Sequence, residues 1–295
     1  MRLLEWLPAS RTTGNNGLAE YVRAIDECVV KISGGRKGRK PFLLGHSLGG
    51  TLAAIFAAMA PGSICGLVPL SAPLCFRPGT SRFRYALVSL VPSDLDEAEP
   101  CPGSLLTQMS ALASPDTFVW SRLADAALSV ADQIALETHA RVERWALDEV
   151  PLSGKLVHQL IEWLYREDRF CRGELRIGKP AGPHSVSAPT LAIVNTADDI
   201  APLDSVRPFN ESLATPDARI IEYPGEIGVG LQHLGPLIGR RSRARIWPAI
   251  ISWMEAHRQG SSQTFVSRGR TDKELLWNPG CAAPQPRVFS FGRLE

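Results

Sequence analysis

Nowhere in its 295 residues does the sequence sustain the roughly 18 apolar residues a membrane-crossing helix needs, and the opening "MRLLEWLPAS" is too short an apolar run for a secretory leader. A soluble protein is the expectation. An excess of charge is missing too: 32 Lys and Arg stand against 30 Asp and Glu, and a net +2 gives no reason to expect nucleic acid or a membrane surface as partner. The six cysteines form no C-x-x-C pair and no metal-ligand spacing, so the expectation is reduced thiols in the cytoplasm, without structural zinc or a disulfide. No internal repeat occurs.

What is present is enough apolar material, 44% of residues, for one full core. Short apolar runs bounded by Gly, Pro or Ser at 41–46, 66–70, 190–195 and 218–223 read as buried parallel strands, with a fifth beginning at "RLLEW". Helical patterns fall between them. In 17–33, Leu18, Tyr21, Val22, Ile25 and Val29 share a face, and 49–60 is an Ala-rich run stopped by Pro61 and Gly62. A last helix is expected at 242–257, its start obscured by Pro248. This alternation predicts a mostly parallel sheet with helices on both faces.

The segment 77–187 breaks the rhythm with helical patterns and no convincing strand, and is expected to be a helical cap inserted after the third strand. The division expected is therefore a first part of the core at 1–76, the cap at 77–187, a second part of the core at 188–258, and a poorly ordered tail at 259–295, which is polar and punctuated by Gly and Pro.

Chemistry points to "PFLLGHSLGGT". Gly45-His46-Ser47-Leu48-Gly49 fits G-x-S-x-G, in which a strand turns sharply into a helix with the serine at the apex. Gly45 and Gly49 are expected to be glycine because side chains there would collide with the neighbouring strand and helix. A serine hydroxyl is a poor nucleophile until a base takes its proton, so a histidine and an orienting carboxylate are needed downstream. Asp198 and Asp199 in "TLAIVNTADDIAP" follow the 190–195 strand, and spacing alone leaves the choice between them open. After the next strand, "EIGVGLQHLGPLIG" offers one histidine, His233, as general base. His139, His158, His184 and His257 read as packed or solvated side chains, and His46 is expected to point away from the nucleophile. Arg240, Arg241, Arg243 and Arg245 read as a solvated helical turn, and Trp145 and Trp163 as packing residues of the cap.

Across most of residues 2–254 the chain resembles the catalytic domain of polyhydroxyalkanoate synthases and their α/β-hydrolase relatives. The resemblance lies in "LLEW" followed by "GLAEYV", "LLGHSLGGTLAA", "ERWALDEVPLSGKL", "LYREDRFCRGELRIG", "APTLAIVNTADDIAP" and "HLGPLIGRRSRARIWPAIISWM". It implies an α/β-hydrolase fold with a helical cap, Ser47 as nucleophile, Asp198 as the acid, His233 as the base and the Leu48 N–H as oxyanion donor. The implied substrates are hydroxyacyl esters or acyl-coenzyme A thioesters, with coenzyme A as a leaving group, no bound cofactor and no metal. A polyester granule or a synthase subunit is the implied macromolecular partner.

Two departures from the family pattern shape the expectation. Synthases usually carry cysteine where this chain has Ser47. Transfer from an acyl-cysteine to a hydroxyl runs downhill, whereas transfer from an acyl-serine is nearly thermoneutral, so serine favours hydrolysis or single transfers over polyester growth. The match also begins after the strand whose loop supplies the other oxyanion amide in this fold, so a core shortened at its N-terminus, with an unpaired sheet edge, is expected. The alternatives are a genuine synthase making polyester from 3-hydroxyacyl-coenzyme A, and a non-catalytic relative that binds granules or a synthase.

Overall fold

The computed structural model describes residues 1–35, 38–92, 96–148, 150–259 and 286–290. The strands among them are β1 (Arg2–Trp6), β2 (Phe42–His46), β3 (Gly66–Leu70), β4 (Leu175–Ile177), β5 (Lys179–Ala181), β6 (Thr190–Asn195), β7 (Ala218–Tyr223) and β8 (Pro286–Ser290). The helices are α1 (Leu18–Ser33), α2 (Leu48–Met59), α3 (Arg82–Leu90), α4 (Gly103–Ala113), α5 (Ser121–Ser129), α6 (Gln133–Ala146), α7 (Gly154–Gln159), α8 (Leu203–Glu211), α9 (Gly235–Ile238) and α10 (Trp247–Gln259). Wider π turns at Asp116–Trp120, Leu160–Arg166 and Ser242–Ile246 lead into α5, extend α7 and precede α10.

Strands β2, β3, β6 and β7 pair in that order, all parallel. Side chains alternate between the faces, as a two-residue period requires. Leu67, Ala192 and Val194 join α1, α2 and α8 in one buried cluster, while Val68, Leu70, Leu191 and Ile193 join Ile250 and Trp253 of α10 in another. Each fully buried Leu or Ile contributes about 1.5–3 kcal/mol, so these two layers hold the strand ends in place.

Helix α1 buries the face marked by Leu18, Tyr21, Val22, Ile25 and Val29. Its first turn is closed by Glu20, whose carboxylate accepts the Gly17 N–H at 2.8 Å, and its last by Gly34 at φ 75. Helix α2 is buried on every side from Gly50 to Ala58, as an Ala-rich helix without charges can be. Pro248 follows the π turn Ser242–Ile246, which runs through Trp247 into α10 without a break.

Four features depart from expectation. Strand β1 forms but does not join the parallel sheet: it pairs antiparallel with β8, Arg2 opposite Ser290 and Trp6 opposite Pro286. Thus Pro286–Ser290, placed in a poorly ordered tail, is a strand, and the rest of 260–295 lies outside the described residues. Among the described residues β2 is consequently an edge strand, with Phe42, Leu43 and Leu44 only half-buried. A hairpin, β4–β5, turns at Gly178 (φ 86) inside the segment read as strandless, because three-residue strands carry too little pattern to see. Its Leu175, Ile177 and Ala181 pack into the cluster of α1 and α2. Trp145, assigned to packing, is 62% exposed at the end of α6, whereas Trp163 packs against the core.

The last departure is covalent. Cys75 and Cys171 are joined by a disulfide, Cα to Cα 5.2 Å, where reduced thiols were expected. The two lie 96 residues apart, so no local spacing could announce the pair; the fold buries both against the same cluster. Thiol titration of unfolded, unreduced protein should therefore find no more than four of the six thiols, and six after reduction. Cys171→Ser should lower unfolding stability by about 2–4 kcal/mol in urea titrations; six thiols before reduction would show the bond is not made.

Candidate active site

Strand β2 runs straight into α2 through Ser47, which stands at φ 52, ψ −127. A non-glycine residue at positive φ costs about 1–3 kcal/mol and persists only where its surroundings hold it. Here the Ser47 N–H donates to the Leu70 carbonyl at 3.0 Å, and the Ser47 carbonyl accepts from Gly50 and Thr51 N–H at 2.9 and 3.1 Å. The turn is thereby bonded to the sheet on one side and to the helix on the other.

A Cβ on Gly45 would stand 2.4 Å from the Gly49 carbonyl oxygen, so that position must be bare. Gly49 itself faces open space, contrary to expectation. The second crowded position is Gly50, where a Cβ would meet the Ala72 Cβ at 2.5 Å and the Gly45 oxygen at 2.7 Å. The motif reading picked the right number of glycines and one wrong member, because the close approach is made by the helix turn just past it.

The candidate acid and base stand on the loops after β6 and β7. Asp198 is 4% exposed; its Oδ1 accepts the Ile200 and Ala201 N–H at 2.9 and 3.2 Å, and its Oδ2 lies 2.7 Å from His233 Nδ1. Since a carboxylate only accepts, Nδ1 carries the proton and Nε2 presents a lone pair. That Nε2 is buried and, among the described residues, has no hydrogen-bond partner. Asp199 faces the other way: its Oδ2 accepts from the Thr117 hydroxyl at 2.8 Å. Geometry thus separates two adjacent carboxylates that spacing could not.

Two supporting residues were not anticipated. Asn195, fully buried at the end of β6, donates from Nδ2 to the Gln232 carbonyl at 2.6 Å and accepts the Ala197 N–H at 2.9 Å, tying the acid loop to the histidine loop. His46, adjacent to Ser47, donates from Nε2 to the His233 carbonyl at 3.0 Å, and the two rings stand 4.9 Å apart. It was expected to point away from the nucleophile; its ring is bonded to the backbone of His233. Burial, then the neighbouring His233, pushes its pKa down to about 4, so it is a neutral strut. Nothing in residue spacing signals either contact.

The first-turn N–H of Leu48 has no carbonyl one turn back to bond within α2, which leaves it as the candidate oxyanion donor at the positive end of the helix dipole. Beside it a cavity of about 90 Å³ is lined by Ser47, Leu48, Thr51, Pro73, Phe76, Leu160, Leu164 and Tyr165. Its wall is pinned by the disulfide at Cys75 and by Asp168, whose Oδ1 accepts the Phe76 N–H at 2.8 Å. Burial outweighs that bond and the nearby Arg77, Arg84 and Arg172, and pushes the Asp168 pKa up to about 6. Among the described residues no three His, Cys, Asp or Glu side chains converge to hold a metal ion.

The family model described as serine aminopeptidase, S33 (Hydrolase_4) matches residues 10–117. Among solved structures, the monoglyceride lipase of Saccharomyces cerevisiae superposes with a TM-score of 0.53 at 13% identity over 85% of this chain and 73% of its own. The Paleococcus ferrophilus monoacylglycerol lipase gives 0.50 at 24% over 82% and 77%. The fold is that of the α/β-hydrolases. Curated relatives narrow it: the poly(3-hydroxyalkanoate) polymerase subunit PhaC of Haloferax mediterranei is 29% identical over 277 residues, 89% of this chain and 53% of its own length. That of Haloarcula marismortui is 25% identical over 270 residues, 90% and 55%. The chain is thus similar to these polymerase subunits, and it spans about half their length.

The neutral state of His46 has a pH signature. Its folded pKa lies below the ordinary 6.5, so its contribution is complete above pH 6.5 and is lost as pH falls toward 4. Asp168, raised to about 6, acts oppositely, favouring the fold as pH falls, but that term is common to wild type and variant. His46→Gln retains an N–H for the His233 carbonyl without titrating. Urea unfolding at pH 7 and pH 4.5 should find the variant losing less stability than wild type; equal losses would show that His46 is not held neutral.

Proposed function

We propose that the chain is a serine-nucleophile acyl-transfer enzyme acting on hydroxyacyl esters or thioesters. The observation that carries this reading is the 2.7 Å bond between Asp198 and His233, whose ring stands 4.9 Å from that of His46, the residue before a serine held at positive φ. In the proposed reaction His233 Nε2 takes the Ser47 proton as Oγ attacks the acyl carbonyl, and the Leu48 N–H meets the developing oxyanion. Collapse of the tetrahedral adduct breaks the bond to the leaving thiolate or alkoxide, which receives the proton from His233. Asp198 keeps the imidazole in the tautomer that can do this and stabilises its cationic form. An acceptor hydroxyl, water or an alcohol, then repeats the sequence in reverse on the acyl-serine. The chemistry asks for no metal and no bound cofactor; coenzyme A enters only as a leaving group.

Serine at the elbow supports hydrolysis or single transfers, because the oxyester intermediate offers no thermodynamic pull toward polyester. The resemblance to polymerase subunits supports the second reading, polymer growth from 3-hydroxyacyl-coenzyme A, with a polyester granule or a synthase subunit as partner.

Thiol release from 3-hydroxybutyryl-coenzyme A, with the acyl product identified, tests both. Free hydroxy acid supports hydrolysis and insoluble polymer supports synthesis; Ser47→Ala should abolish either. Asp198→Asn should lower kcat by about 10⁴-fold while leaving the fold intact, since it leaves the imidazole in the wrong tautomer. Unchanged thiol release by Ser47→Ala would remove Ser47 as the nucleophile; none by wild type, with activated esters also untouched, would set the enzyme reading aside in favour of a binding relative.

A further inference from the structure

Helices α5 and α6 bury few side chains. Leu123 and Leu128 of α5 and Ile134 and Leu136 of α6 are exposed, and α5 buries only Asp125 and Ser129. Polar contacts tie this region to the loops that carry Asp198 and His233. Thr117, just before α5, donates to Asp199, the neighbour of Asp198. Asp132, capping α6, pairs with Arg240 beyond the histidine loop at 2.9 Å.

The third contact is the most buried. The Asp125 carboxylate accepts the Gly228 N–H at 2.8 Å on Oδ1 and the Gly230 N–H at 2.9 Å on Oδ2, where His139 Nδ1 also donates at 2.7 Å. Asp125 and His139 are each 7% exposed. Gly228 and Gly230 stand at φ 87 and 65, and a Cβ on them would meet Ala135 at 2.7 Å and Val142 at 2.9 Å, both on α6. The loop is therefore pressed onto α6 and bonded into α5. From Gly230 the chain passes through Leu231 directly into the Gln232–Leu234 turn that carries His233.

We propose that Asp125, oriented by His139, is a positioning residue that fastens the cap to the histidine loop, so that the α5–α6 pair sets where His233 stands. The proposal rests on reading His233 as the general base. It makes the cap part of the catalytic geometry: any displacement of α5–α6 by substrate pulls on the base through two amide hydrogen bonds. Replacing one carboxylate oxygen by an amide N–H sets donor against donor at one of these three bonds.

Two readouts on the full-length protein test this. In Asp125→Asn, which keeps the shape and removes one acceptor, amides of residues 226–235 should exchange with solvent faster while those of α1 do not change. Ser47-dependent kcat should fall by about tenfold to a hundredfold with KM held, the size expected of a misplaced catalytic group. His139→Ala should behave alike, and His139→Asn, whose amide N–H reaches the former Nδ1 position, should restore most of the loss. Unchanged exchange in 226–235 would overturn the proposal, as would faster exchange with kcat unmoved. If wild type shows no Ser47-dependent turnover, the enzyme reading fails separately, and the exchange result still decides whether Asp125 holds the loop.

Discussion

A serine at φ 52 between a strand and a helix is the constraint on which the molecule turns. That backbone state is unfavourable alone, and everything around it acts to keep it: a carbonyl from β3, two amides of α2, and two positions where nothing larger than hydrogen fits. Because the sheet is parallel, β2, which runs into Ser47, ends at the same edge of the sheet as β6 and β7, which lead into the loops of Asp198 and His233, with β3 between β2 and β6. Asp198 and His233 meet through topology, although they lie far apart in sequence.

What the sheet delivers, hydrogen bonds then fix. Asn195 links one loop to the other, His46 braces the histidine carbonyl, and two backbone amides hold the carboxylate of Asp198. None of these contacts touches a reacting atom, yet each removes a degree of freedom from the imidazole. The cavity beside the serine is bounded by a wall fixed by Cys75 and Asp168 and by side chains of the Leu160–Arg166 π turn, so its shape is set by the cap and the core together.

The parallel strands were legible because burial on both faces requires continuous apolar runs, and four such runs fall where β2, β3, β6 and β7 lie. The strand-to-helix turn at Ser47 was legible from its motif, and the loop position of His233 from chain order. Asp198 was not separable from Asp199 on spacing, because adjacent residues in a loop point to opposite sides, one to His233 and the other to Thr117. The partner of β1, the role of Gly50, and the Asp125–His139 pair depend on approaches between distant segments. Cys75 and Cys171 show this most plainly, since each looks ordinary alone.

That bond has a topological consequence. It closes a covalent ring holding α3, α4, α5, α6 and α7 as a side loop on a shorter main path. A protease that cuts inside the ring leaves both new ends tethered, so the cap stays at its post after a break in its own backbone. Tension applied at the two ends of the molecule bypasses the ring, and the extension it would release, at roughly 3.3–3.6 Å per residue, stays locked until the sulfurs part.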